Sequence, residues 1–187
     1  MKQTSLVKQI IATGLLLYQK DYIYATNGNI SVRSGDSILI TATGLCKGEL
    51  KSKDILSVTL DGKVKRGKPS IEMNMHLGIY KARKNIHAVI LAHPFFTNLI
   101  GIQPGALNLG ALPDMEGHLK KIEFIPNIKP GSPELAHAVK EAIKKTDIVV
   151  IHRYGVVTGG KNLFDARHKL ERLEYLAKFL VFKQIIF

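Results

Sequence analysis

The residues best suited to chemistry in this chain stand in turns of small polar residues and at the ends of apolar runs. Asn27-Gly28-Asn29, Thr41-Ala42-Thr43-Gly44 and Pro69-Ser70 combine short amide or hydroxyl side chains with free backbone N–H groups, the makings of an oxyanion nest. The same residues are also ordinary turn formers. The pattern is neither a P-loop nor a dinucleotide-binding glycine motif. Glu72 follows Ser70 by two residues, between apolar Ile71 and Met73. A carboxylate there serves either as a general base or as a partner for a helix dipole. His93 and His152 each close an apolar run, the place where open α/β sheets present ligands. Either imidazole is a structural residue or a metal ligand on this ground alone.

These side chains need elements to hold them. Leu6, Ile10, Ile11, Leu15 and Leu16 recur at helical spacing, so residues 3–20 read as an amphipathic helix. Residues 30–33 and 37–41 alternate as a hairpin around Ser34-Gly35-Asp36, and residues 55–60 form a further strand that residues 63–65 return beside. Met75, Ile79 and Tyr80 mark a helix with Ser70 as its N-cap and Glu72 in its first turn. The continuous apolar run 88–92 suits a central buried strand. Residues 95–102 then read as a short helix, 103–117 as a loop and 119–125 as a strand. Ser132 and Pro133 start a helix over 133–145. Strands follow at 147–151 and 156–158, Gly159-Gly160-Lys161-Asn162 reads as a turn, and a long helix covers 163–183. With no repeat or linker, residues 1–187 read as a single α/β domain.

Composition narrows the classes. Hydrophobic residues make up 45% of the chain, enough for a core without disulfides, and the single Cys46 fits a reducing cytoplasm. The apolar run 10–18 is too short to cross a bilayer and reads as the buried face of the first helix. The formal charge of +12 invites a nucleic-acid role, but the basic residues are scattered and mostly lysine, without an RNA-binding or zinc-finger signature. The charge either gathers a small anionic substrate or marks a solvated lysine-rich surface.

The order of these motifs resembles the class II aldolase family, which includes fuculose-phosphate aldolase, ribulose-phosphate 4-epimerase and the adducin head domain. The resemblance is carried by Thr26-Asn27-Gly28-Asn29-Ile30-Ser31-Val32-Arg33, by Ile40-Thr41-Ala42-Thr43-Gly44, and by Lys53-Asp54-Ile55. It continues through Pro69-Ser70-Ile71-Glu72 with His76, Ile79 and Tyr80, and through Ala88-Val89-Ile90-Leu91-Ala92-His93. Ile151-His152-Arg153-Tyr154-Gly155, with Asn162, Leu163 and Ala166, completes it. The match runs from the first helix to the last.

The resemblance implies a three-layer α/β/α domain around a mostly antiparallel sheet, usually assembled as a homotetramer. It implies that Asn27, Gly28, Asn29, Thr43, Gly44 and Ser70 bind substrate phosphate, with Glu72 as the acid/base next to the substrate carbonyl. It also implies a zinc or other divalent ion on three histidines, which takes up the charge of an enediolate. Here this chain departs from the pattern. Leu91 stands in place of the first histidine of the H-x-H pair, and Tyr154 in place of the histidine before Gly155. His93 alone is kept, and His152 and His118 are the candidate replacements. Two classes of function follow. One is a lyase or epimerase acting on a sugar phosphate. The other is a catalytically lapsed aldolase-fold module that binds or assembles without metal.

Overall fold

A computed structural model of the chain describes residues 3–101 and 106–186. Its centre is a seven-stranded sheet in the order β3-β2-β1-β4-β7-β6-β5. The strands are β1 (Asn29–Ser34), β2 (Ser37–Thr41), β3 (Ile55–Thr59), β4 (Ala88–Ala92), β5 (Glu123–Ile125), β6 (Ile148–Ile151) and β7 (Gly155–Gly160). All neighbours pair antiparallel except β5 and β6. The helices are α1 (Gln3–Gln19), α2 (Met73–Ala82), α3 (Phe95–Ile100), α4 (Pro113–His118), α5 (Pro133–Ile143) and α6 (Leu163–Ile186).

Strand alternation divides the core in two. Ile30, Val32, Ala88, Ile90, Ala92, Val150 and Val156 pack with α1, α3 and α6 on one face. Val89, Leu91, Val149, Ile151 and Val157 pack with α2 and α5 on the other. The result is the three-layer arrangement expected, with β4 buried at all five positions.

Several local expectations are corrected. The helix expected from Ser70 begins at Met73, with Glu72 at the N-cap position. Ser70 instead closes the preceding turn, its hydroxyl accepting the Glu72 N–H at 3.2 Å. Within the expected loop, Leu109–Ala111 is a 3₁₀ turn capped by the Asn108 side chain, and α4 follows. Residues 102–105 of that stretch lie outside the described residues. The strand expected over 119–125 is confined to β5. Gly159 and Gly160 are not a turn but the end of β7, paired with Val89 and Ala88. A Cβ at Gly159 would meet Ile86 Cδ1 at 2.7 Å, so a larger residue there would require the Ile86 side chain to shift.

Among the described residues no helix is long and apolar enough to cross a membrane.

One close approach fixes the end of the sheet where the candidate residues gather. A Cβ on Gly155 would sit 2.5 Å from the Ala92 carbonyl oxygen and 2.9 Å from His93 Nδ1. The neighbour is backbone, which gives way less than a flexible side chain. Gly155→Ala is therefore expected to cost about 1–3 kcal/mol in urea unfolding, the range of overpacked sites. Gly117→Ala, in open space on α4, serves as the control and should be neutral or slightly stabilising. Equal midpoints for both variants would contradict the contact.

Candidate functional site

The turns named from the sequence meet at one end of the sheet. The isolated bridge between Ala42 and Pro69 places the second turn against the third, with Thr43 N–H donating to Lys68 O and Ser70 N–H to Thr41 O, each at 3.1 Å. Asn29 begins β1 opposite Leu91, so the first turn lies beside the end of β4. Asn27, Gly28, Asn29, Thr43, Gly44 and Ser70 all line one cleft of about 350 Å³, together with His93 and Tyr154. Gly28 takes the left-handed conformation (φ 71°), and a Cβ there would meet Leu91 O at 2.9 Å. The turn can approach β4 this closely only with glycine.

A buried relay holds Asn29. His76 Nε2 lies 2.5 Å from Asn29 Oδ1, His76 Nδ1 lies 2.6 Å from Ser31 Oγ, and Ser31 Oγ lies 2.8 Å from Tyr80 Oη. His76 is fully buried, and desolvation pushes its pKa down to about 3, so the imidazole is neutral. With Asn29 Oδ1 as acceptor, Nε2 carries the proton and Nδ1 accepts from Ser31. Tyr80, its phenol pushed up by burial, donates in turn to Ser31. This leaves the Asn29 amide nitrogen with no protein partner among the described residues, beside the cleft. Sequence reasoning gave His76 no role. The available signal was its place four residues after Glu72, on one face of α2.

Glu72 is 1% exposed. Its Oε1 accepts from the Tyr154 hydroxyl and from the Gly131 N–H, each at 2.8 Å. Hydrogen bonds to a charged group contribute about 1.5–3 kcal/mol each, which helps hold this carboxylate inside. Tyr154 lines the cleft whereas Glu72 does not, so the phenol stands between the carboxylate and the open space. Burial and the Glu72 charge push the Tyr154 phenol far above its ordinary range, which keeps it a proton donor. His93 is 8% exposed, and its Nδ1 bonds the Tyr154 carbonyl at 2.6 Å. Burial lowers its pKa, the hydrogen bond to that carbonyl opposes the shift, and the charge of Lys47 adds to it.

The structure does not assemble a three-imidazole zinc site. Leu91 is fully buried in the core beneath α2 and α5. The Tyr154 hydroxyl is committed to Glu72. His152, whose backbone N–H bonds Ile125 O, does not line the cleft, and its Nε2 is buried without a partner. His118 lies on α4 near Asp114, in a different hollow with Arg83 and Asp147. Among the described residues no three His, Cys, Asp or Glu side chains gather as a metal-holding group. The replacements expected at His152 and His118 therefore do not join His93. A zinc site prefers four ligands drawn from imidazole, thiolate and carboxylate, and the cleft itself offers one imidazole.

Lys47 also lines the cleft and is only 2% exposed. Its Nζ donates to the carbonyls of Thr26 and Leu45, both at 2.6 Å. Desolvation lowers its pKa to about 8. Nothing in the sequence separates it from the other basic residues.

The family model for the Class II Aldolase and Adducin N-terminal domain matches residues 8–181. The chain belongs to that family. It is 36% identical over 179 residues to the L-fuculose phosphate aldolase of Methanocaldococcus jannaschii, covering 96% of this chain and 97% of the relative. It is 35% identical over 182 residues to the methylthioribulose-1-phosphate dehydratase of Methylococcus capsulatus, covering 90% and 89%. The crystal structure of L-fuculose-1-phosphate aldolase from Thermus thermophilus shares the fold, with a TM-score of 0.86, 24% identity and coverage of 98% and 96%. The class II aldolase fold is thus present over nearly the whole chain, with the three polar turns and Glu72 gathered at one sheet end.

The neutral state of His76 has a consequence for stability. Its folded pKa lies below the unfolded one, so only the unfolded chain takes up this proton between about pH 6.5 and pH 3. The stabilisation is complete above that window and is lost as the pH falls through it. His76 alone should remove roughly 2–3 kcal/mol from the wild type between about pH 7 and pH 4.5. Urea unfolding of the wild type and His76→Gln at both pH values measures this. Equal losses in the two proteins would contradict a neutral buried imidazole.

Proposed function

We propose that this class II aldolase-family chain is an enzyme acting on a phosphorylated hydroxy-carbonyl compound, with Glu72 as the acid/base that moves a proton beside the carbonyl. The observation that carries this reading is the Tyr154–Glu72 hydrogen bond of 2.8 Å at the wall of the cleft. A carboxylate in a purely structural role needs no phenol placed between it and a cleft of anion turns. In the reading, Asn27, Gly28, Asn29, Thr43, Gly44 and Ser70 hold the phosphate and orient the substrate. Tyr154 faces the reacting carbon or oxygen and exchanges its proton with Glu72 behind it. His93, neutral and fixed by the Tyr154 carbonyl, offers Nε2 to a substrate hydroxyl.

The names of the relatives support this substrate class, since both the aldolase and the dehydratase are named for phosphorylated substrates. Retro-aldol cleavage is the first reaction to test, with epimerisation and elimination as neighbours that share the proton transfer. Assembly into a homo-oligomer, as a tetramer, belongs to the same reading. It is supported by Phe95, Leu99 and Tyr175, which are 66%, 46% and 62% exposed beside one another near α3 and α6.

The competing reading, a binding module without turnover, draws on Leu91 and Tyr154 at the two positions where the family pattern has histidine. A screen of ketose and aldose phosphates for cleavage, comparing wild type with Glu72→Gln, decides between them. The enzyme reading expects turnover that falls about 100-fold or more in Glu72→Gln. Substrate binding without any Glu72-dependent turnover would establish the binding module instead.

A further inference from the structure

Lys47 is a buried cation without an acidic partner. It is 2% exposed, and among the described residues it makes no ion pair. Its hydrogen bonds go to two neutral carbonyls, those of Thr26 and Leu45. An ammonium has three protons to donate, so one is left over. A buried charge is costly unless paired, and the carbonyls supply no counter-charge. Both carbonyls belong to segments flanking the anion turns, because Thr26 precedes Asn27 and Leu45 follows Gly44. The ammonium therefore lies where those two turns converge, on the wall of their shared cleft.

We propose that Lys47 is the resident cation of this cleft, pairing directly with the phosphoryl group of the substrate and doing so without a divalent ion. The proposal rests on the sugar-phosphate reading above and names the group that gives that substrate its charge partner. The other cations are differently placed. Arg153 lines the cleft but is exposed on the β6–β7 turn, and His93 is held neutral. Lys47 is the buried ammonium there, with its position fixed at both carbonyls before any ligand arrives. Fixing a charge in advance lowers the ordering cost of binding. The same charge helps keep His93 unprotonated, so the cleft holds one fixed cation beside a neutral imidazole.

The test is calorimetric binding of inorganic phosphate and of a simple phosphomonoester, glycerol phosphate, to chelator-treated full-length protein. Lys47→Met is compared with Lys53→Met, which removes the same charge from an exposed position. Binding to wild type should persist in chelator and not tighten when zinc is added. Lys47→Met should weaken it roughly 10- to 100-fold and Lys53→Met hardly at all, the loss expected of one charged hydrogen bond. Amide and lysine side-chain NMR signals of the wild type give a second readout that needs no variant. Phosphate should shift the signals of Lys47, Gly28 and Gly44 together. Equal affinities in the two variants, unmoved Lys47 signals, or binding that appears only with zinc would each overturn the proposal. Loss of turnover with Lys47-dependent binding intact would remove the enzyme reading alone, and turnover with Lys47-independent binding would remove this one alone.

Discussion

β4 pairs antiparallel with β1 on one side and β7 on the other, and every candidate side chain depends on that register. The pairing of Asn29 with Leu91 and of Ala92 with Val156 brings three chain segments to one sheet end. The segments come close enough that only glycine fits at positions 28 and 155. From this constraint follow the place of the Asn27-Gly28-Asn29 turn beside His93 and the reach of Tyr154 to Glu72, which are 82 residues apart in sequence. The bridge between Ala42 and Pro69 adds the other two turns to the same edge. A slip of one residue in β4 would turn Leu91 out of the core and His93 away from the cleft.

The electrostatics of the cleft are arranged by burial more than by ion pairing. His76 and His93 are kept neutral, so they orient Asn29 and the Tyr154 backbone without adding charge. Glu72 is a buried carboxylate held by a phenol and a backbone N–H, and Lys47 a buried cation held by two carbonyls. Both are fixed by neutral partners rather than by each other, which leaves one Lys47 proton for a ligand, while Tyr154 stands between Glu72 and the cleft. Where the family pattern has imidazoles, this chain has an apolar core residue and a phenol that donates to Glu72.

Much of the frame is legible in the sequence because its signals are local. The unbroken apolar run of β4 announces a central strand, and Ser132 with Pro133 announces the start of α5, where the Ser132 hydroxyl accepts the Leu135 N–H. The three polar turns are legible as segments of small residues, and they converge on one cleft. What is not legible depends on tertiary contact. Gly159 and Gly160 look like a turn until they are seen paired with β4, with Ile86 against Gly159 and the Ala166 backbone against Gly160. Pro113 and Gly117 look like breakers, yet they fall within a short helix whose first turn tolerates proline. Lys47 is one of 27 basic residues, and only the fold, which turns its Nζ inward onto the Thr26 and Leu45 carbonyls, marks it as a buried group. Histidines 152 and 118 show the converse failure. Their type and rough position in the chain suggested ligands, but the fold sends them to different surroundings.

This class II aldolase-family cleft gathers the polar turns, with Glu72 behind Tyr154, but not the ligand set of a three-histidine metal site among the described residues. Elemental analysis of purified protein after incubation with zinc and desalting tests it most directly, with His93→Ala measured in parallel. Far less than one retained zinc per chain is expected, with no difference between the two proteins. One tightly held zinc per chain that disappears with His93→Ala would contradict it.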